Sequence, residues 1–165
     1  MNEDVFKLPT SIVGKSDINR ILRELDGLDD FFMSAAARKS GESIKAPRTT
    51  YMLDQLARDN GYNLMQTDQR TAIKTKLIEI SRTAPSLHIS FAVEPTPRII
   101  DVILSWMRGN IHPQLMLQIG LQPTIAAGCV LRSPNKIFDL SLRTYLENQE
   151  NYMVELIQGA VGGKR

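Results

Sequence analysis

Residues 87–97 read LHISFAVEPTP, and the change of period inside them decides the fold class. Leu87, Ile89, Phe91 and Val93 alternate with His88, Ser90 and Ala92, the two-residue period of a half-buried strand. Thr96 and Pro97 then supply an N-cap and a first-turn proline. The helix they open carries Ile99, Ile100, Ile103, Trp106 and Met107 as its apolar positions and should end at Gly109.

Upstream of this stretch the period is helical. Ile18, Ile21, Leu22, Leu25, Leu28, Phe32 and Ala35 fall at three-and-four spacing and predict a first helix with Ser16 as its N-cap. The text RKSGESIKAPR that follows Ala37 is polar and reads as a loop. A second helix is expected over Thr50 to Asn60, with Met52, Leu53, Leu56 and Ala57 on one face and Gly61 beyond its end. A third starts after Thr67, carries Ile73, Leu77 and Ile80, and stops near Pro85, because proline disfavours helix in the residue before it.

Downstream, Leu115, Leu117, Ile119 and Leu121 alternate as a second strand, interrupted by Gln122 and Pro123. Cys129 to Arg132 and Lys136 to Asp139 flank the turn signal Ser133, Pro134, Asn135 and predict a hairpin. From Ser141 the helical period returns through Leu142, Tyr145, Leu146, Met153, Leu156 and Ile157. The expected architecture is α+β: a helical N-terminal lobe over residues 1–85, a C-terminal domain over 86–158 made of strand, helix, strand, β-hairpin and helix, and a flexible tail over 159–165.

The chain has 165 residues, 42% of them apolar, with 20 basic and 18 acidic side chains and a net charge of +2. One good core, or a core plus a smaller lobe, can be buried at this length. So small a net charge gives no general attraction to nucleic acid or to a membrane surface. Cys129 is the single cysteine, which excludes an internal disulfide and points to a reducing compartment. MNEDVFKLPT at the start lacks the apolar segment of a signal peptide, and no run is long enough to span a bilayer. Service to a membrane system would come from the water side.

Chemistry-bearing residues are sparse and unclustered. Gly14, Lys15 and Ser16 end like a phosphate-binding loop, but Pro9 stands where that motif needs its first glycine, so a helix start is the better reading. His88 and His112 have no nucleophile or carboxylate beside them in sequence, and Cys129 reads as a small buried thiol. Asp26, Asp29 and Asp30 lack the glycine and alternation of a calcium loop and read as a solvated helix face. Arg38, Lys39, Lys45 and Arg48 form a basic stretch without the interleaved aromatics of a nucleic-acid platform. No catalytic, cofactor-binding or metal-ligating residues are therefore assigned, and no cofactor is expected.

The order of segments carries a resemblance. LHISFAV, PRIIDVILSWMRGN, LMLQIGLQP, IAAGCVLR and KIFDLSLR follow one another between Leu87 and Arg143. This run, extended to Leu146, resembles the C-terminal domain of the delta subunit of bacterial F-type ATP synthase, called the oligomycin-sensitivity-conferring protein in mitochondria. The matched framework positions are Pro123, Gly128, Arg132, Asp139, Ser141 and Arg143. Gln122 stands where the family commonly has aspartate, Ala127 and Gly128 stand for its paired glycines, and Leu140 stands where a glycine is usual. The family's N-terminal part is a six-helix bundle, whereas three helices are read here before the first strand.

The resemblance implies a non-catalytic stator subunit of ATP synthase, without cofactor. It would grip the N-terminal helix of the alpha subunit through its helical lobe and the b-type subunits of the peripheral stalk through its C-terminal domain. Its place would be the cytoplasm, against the inner face of the cell membrane as part of a complex, without membrane insertion and without nucleic acid. Its role would be to resist rotational torque during proton-driven ATP synthesis. A rival reading makes the helices of residues 50–84 a helix-turn-helix and the hairpin near Pro134 a wing, with Arg70, Lys74 and Lys76 touching phosphates. A small enzyme is a third class, for which the sequence offers no assembled residues.

Overall fold

The computed structural model describes residues 6–37 and 47–149, together with 152, 154 and 157. Most of the loop expected after Ala37, including Arg38, Lys39 and Lys45, and the expected tail over 159–165 lie outside the described residues. The order is α1 (Lys15–Ala37), α2 (Tyr51–Asp59), α3 (Thr67–Thr83), β1 (Ser86–Phe91), α4 (Pro97–Asn110), β2 (Met116–Leu121), β3 (Gly128–Arg132), β4 (Ile137–Ser141) and α5 (Leu142–Asn148). A 3-10 turn, Pro123–Ile125, lies between β2 and β3. The fold is α+β.

Two compact units form, one from Met1–Ser86 with Ile100–Met116 and the other from Leu87–Ile99 with Leu117–Arg165. The first is built on α1, whose Ile18, Ile21, Leu25 and Leu28 are all buried. Each such aliphatic side chain contributes roughly 1.5–3 kcal/mol on leaving water. Leu53 and Leu56 of α2, Ile73, Leu77 and Ile80 of α3, Met116, and Phe6, Leu8 and Ile12 from the start of the chain complete the same core.

Local chemistry sets the helix ends. Thr50 is the N-cap of α2, its hydroxyl accepting the Leu53 N–H, and the Glu24 carboxylate of α1 accepts both the Thr50 N–H and its hydroxyl. Carboxylates are favoured at such N-termini. At the other end of α2 the Tyr62 N–H turns back to the Ala57 carbonyl at 2.8 Å. Ser16 does not cap α1, because the helix already includes Lys15. Asp17 instead reaches back from the first turn, its carboxylate Oδ2 accepting from the N–H of Val13 at 2.9 Å and of Gly14 at 3.0 Å, just ahead of the helix.

The second unit holds the sheet, in strand order β2-β1-β3-β4. The Met116 N–H donates to Pro85 O and the Gln122 N–H to Phe91 O. Chain position therefore rises together along β1 and β2, so they run parallel, and α4 is the crossover between them. β3 is antiparallel to β1, with Ile89 opposite Leu131, and to β4, with Val130 opposite Asp139.

The expected strand alternation is only partly realised. In β1 both Ile89 and Ser90 are buried, and Val93 lies exposed beyond the strand. β1 has a neighbour on each side. His88 Nε2 also meets Ser90 Oγ at 3.0 Å, in space left by Gly120, where a Cβ would come within 2.9 Å of that nitrogen. A glycine in a strand commonly marks such a close approach. In β2 Met116 and Leu117 are both buried, following buried Leu115, while Leu121 is exposed.

Candidate interaction surface

The apolar stripe expected on α4 divides between two sides of the helix. Leu104 and Met107 are buried. Ile99, Val102 and Trp106, at i, i+3 and i+7, are exposed, the tryptophan residue at 60%. Those three positions lie on one face. The sequence marks Ile99, Ile100, Ile103, Trp106 and Met107 as the apolar positions of this helix without giving them a side. Seven of the fourteen residues in PRIIDVILSWMRGN are apolar, so periodicity admits two faces and packing chooses one.

A second apolar surface lies on β4 and α5. Ile137, Phe138 and Leu140 of β4 are exposed, as are Leu142 and Tyr145 of α5 and Tyr152 and Ile157 beyond it. Single exposed apolar residues are ordinary, but groups of them on one element mark interaction surfaces.

The framework positions named by the resemblance fall in different places. Pro123 opens the 3-10 turn. Gly128 begins β3 with φ +94° and pairs with Ser141 at the end of β4. Asp139 Oδ1 accepts the Ser141 N–H at 2.9 Å, and Ser141 Oγ accepts the Thr144 N–H at 3.4 Å. Ser141 therefore accepts from an amide inside the last helix, and Asp139 accepts one residue ahead of it. Hydrogen bonds from the Ser141 side chain and main chain hold the Asp139 carboxyl below the usual carboxylate range. Arg132 sits at the far end of β3, opposite Ile137. Arg143 is exposed and pairs with Glu147 at 2.8 Å, which raises its pKa.

Gly128, Asp139 and Ser141 thus form one junction, where a hairpin hands over to a helix. Arg132 does not join it, and Arg143 reaches it only through the effect of its charge on Asp139.

The other chemistry-bearing groups are tied into the structure. The amides of Val13 and Gly14, where a phosphate-binding loop would need donors, are taken by Asp17. His112 Nδ1 accepts the Gln114 N–H at 3.1 Å, and burial pushes the Cys129 thiol up. Among the described residues no three His, Cys, Asp or Glu side chains are grouped to hold a metal ion. An open concavity of about 520 Å³ is lined by Tyr62, Asp68, Thr71, Ala72, Thr75 and Lys76. Its Thr71 and Thr75 hydroxyls already donate to carbonyls of their own helix.

The aspartate cluster on α1 is not a purely solvated face. Asp29 accepts from Arg70 Nε at 2.5 Å and from Lys74 Nζ at 2.5 Å, and Asp26 accepts from Lys74 at 2.6 Å. Arg70 is 1% exposed. It also donates to Leu64 O and Thr67 Oγ1 and lies 4.6 Å from the Phe32 ring centroid, a cation–π distance. The three basic residues of the helix-turn-helix reading are thus engaged, Arg70 in the interior, Lys74 with two carboxylates and Lys76 with Glu79 at 3.1 Å.

Arg108 was not anticipated at all. Its guanidinium donates to the carbonyls of Leu8, Pro9, Ile12 and Leu115 at 2.6–3.0 Å. Burial pushes its pKa down to about 10, and four carbonyl dipoles offset the cost of removing the charge from water. Arg70 did leave a signal, since Arg70, Ile73, Leu77 and Ile80 share one helical spacing. Arg108 left none beyond a basic residue in a last helical turn.

No protein-family model matches the chain, and no curated protein matches it significantly. Among the described residues no helix is long and apolar enough to cross a membrane.

Proposed function

We propose that the chain is a non-catalytic stator subunit of an F-type ATP synthase, tethering the catalytic head to the b-type subunits of the peripheral stalk. The observation that carries the partner-binding part is the exposed face of Ile99, Val102 and Trp106 on α4. Apolar anchors at i, i+3 and i+7 are the spacing by which a helix docks along a partner helix or groove. The resemblance supplies the identity of the partners, and its motif order follows the strand, helix, strand, hairpin and helix of residues 86–148.

The work of such a subunit is mechanical. Torque from the rotating central stalk acts on the head, and a tether must hold through summed contacts, with no bond made or broken. The helical lobe would meet the alpha subunit's N-terminal helix, and the C-terminal domain would meet the stalk, at the cytoplasmic face of the membrane and without entering it. The engagement of Arg70, Lys74 and Lys76 within the protein weighs against the rival reading, which needs them for phosphates.

Tagged full-length chain purified from native membranes, under conditions that preserve the synthase, should recover alpha and b-type subunits. Recovery of neither would overturn the proposal.

A further inference from the structure

β4 closes one side of the sheet, and the hairpin fixes which of its main-chain groups point outward. The Ser133 N–H donates to Lys136 O at 2.8 Å, and the Leu142 N–H to Ala127 O at 2.9 Å. Between those bonds Leu131 faces Phe138 and Cys129 faces Leu140. Antiparallel ladders alternate, so the N–H and C=O of Phe138 and Leu140 turn toward β3, and those of Ile137, Asp139 and Ser141 turn away. β4 is last in the strand order. Among the described residues no strand receives those outward groups.

Such an edge, carrying exposed Ile137, Phe138 and Leu140, has what strand addition requires: unpaired main-chain donors and acceptors beside apolar side chains. One outward donor is closed from within the strand. The Ser141 N–H donates to the Asp139 carboxylate at 2.9 Å.

We propose that the Asp139 carboxylate guards the outer edge of β4 against antiparallel pairing with the β4 of a second copy. One two-fold register that the outward groups admit places Phe138 of each copy opposite Phe138 of the other, with Ile137 exchanging hydrogen bonds with Asp139. Asp139 opposes this pairing twice. It occupies the Ser141 N–H that would extend the ladder. It also places two carboxylates diagonally on one face of the joined sheet, where like charges repel. The second copy is the natural occupant because it offers the same short apolar edge, and two-fold pairing is the commonest way identical chains associate.

A turn-forming role alone would also account for the Asp139–Ser141 hydrogen bond, so the test must separate the two. The full chain carrying Asp139→Ala or Asp139→Val is compared with wild type by sedimentation velocity over a concentration series. Valine is included because it favours strand, should alanine weaken β4. The guard predicts dimerisation at least tenfold tighter than wild type in both variants, abolished by adding Phe138→Lys. Should neither fold by circular dichroism, Asp139→Asn keeps the acceptor and loses the charge. It should then tighten association by a smaller factor, roughly threefold, from removing like-charge repulsion. Folded variants that stay as monomeric as wild type, with only a lower unfolding midpoint, would overturn the proposal. So would association that Phe138→Lys leaves intact.

Discussion

Gly128 and Leu140 approach so closely that a Cβ on the glycine would lie 2.5 Å from the Leu140 carbonyl oxygen. The glycine also holds φ +94°, where an L side chain is strained. Both penalties act on backbone, which cannot swing aside as a flexible side chain would. Gly128→Ala is expected to cost on the order of 3 kcal/mol, the sum of a strained dihedral and a local overpacking. A urea midpoint for the full chain equal to wild type would contradict this close approach.

Two residues earlier the opposite substitution should help. Ala126 has φ 63° and ψ −56°, and the Ala127 N–H donates to Ile125 O at 2.8 Å. This is a γ-turn with positive φ at its centre, the rarer and strained form. Ala126→Gly removes the Cβ that makes it costly, at the expense of a freer unfolded chain. Because Ala126 is exposed and loses no packing, the net expectation is a gain of about 1 kcal/mol. The check is a raised midpoint in chemical denaturation, and a lowered one would count against the turn.

The ion pairs between α1 and α3 make stability depend on pH. Burial pushes the Asp29 carboxyl up, but hydrogen bonds and charge from Lys74 and Arg70 outweigh it and hold the group below its ordinary 3.8. Burial likewise works to lower Lys74, and Asp26 and Asp29 more than reverse that, raising it above 10.5. A depressed carboxyl stabilises the fold above its unfolded value and loses that contribution as pH falls through the folded one. A raised amine stabilises below its unfolded value and loses the contribution as pH rises through the folded one. The network is therefore fully effective between those limits.

Asp29→Asn leaves the buried Arg70 without its counter-charge, and should cost about 2 kcal/mol at neutral pH, discounted because Asp29 is partly exposed. The difference from wild type should shrink as pH falls from the ordinary 3.8 through the lower folded value, beneath which the wild-type carboxyl is neutral as well. Denaturation at pH 7 and pH 3 measures it; an equal cost at both would assign the effect to lost hydrogen bonding alone.

What could be read in advance follows from how local each cause is. Pro85 as the stop after α3 and Gly61 beyond the end of α2 act through neighbouring residues, and both were visible in the letters, whereas Thr50 was read as the start of α2 and is its cap. The strands were visible as changes of period and the hairpin as a turn signal, but their order and the parallel pairing of β1 with β2 were not. Ser90 in β1 was assigned outward because alternation alone cannot register that His88 and Gly120 create a polar niche around it. Arg108 is further out of reach, since its carbonyl partners at Leu8, Pro9 and Ile12 lie about a hundred positions away. Gly128, Asp139 and Ser141 were singled out only through the resemblance, and their hydrogen bonds at the junction were not legible in the letters.

Trp106 offers a direct reading of the α4 face, because it is the chain's single tryptophan and stands 60% exposed. Its fluorescence in the isolated chain should be that of a solvated indole, readily quenched by acrylamide. Trp106→Ser removes no buried contact of consequence and should change stability by no more than about 0.5 kcal/mol. Should the face dock a stalk helix, adding purified b-type subunit must shift the emission to the blue and shield it from quencher, since an apolar anchor leaves water on binding. The same substitution must then weaken capture by at least tenfold. Binding that neither moves the emission nor responds to Trp106→Ser would transfer the contact to the surface formed by β4 and α5, where Phe138 and Tyr145 are the residues to substitute next.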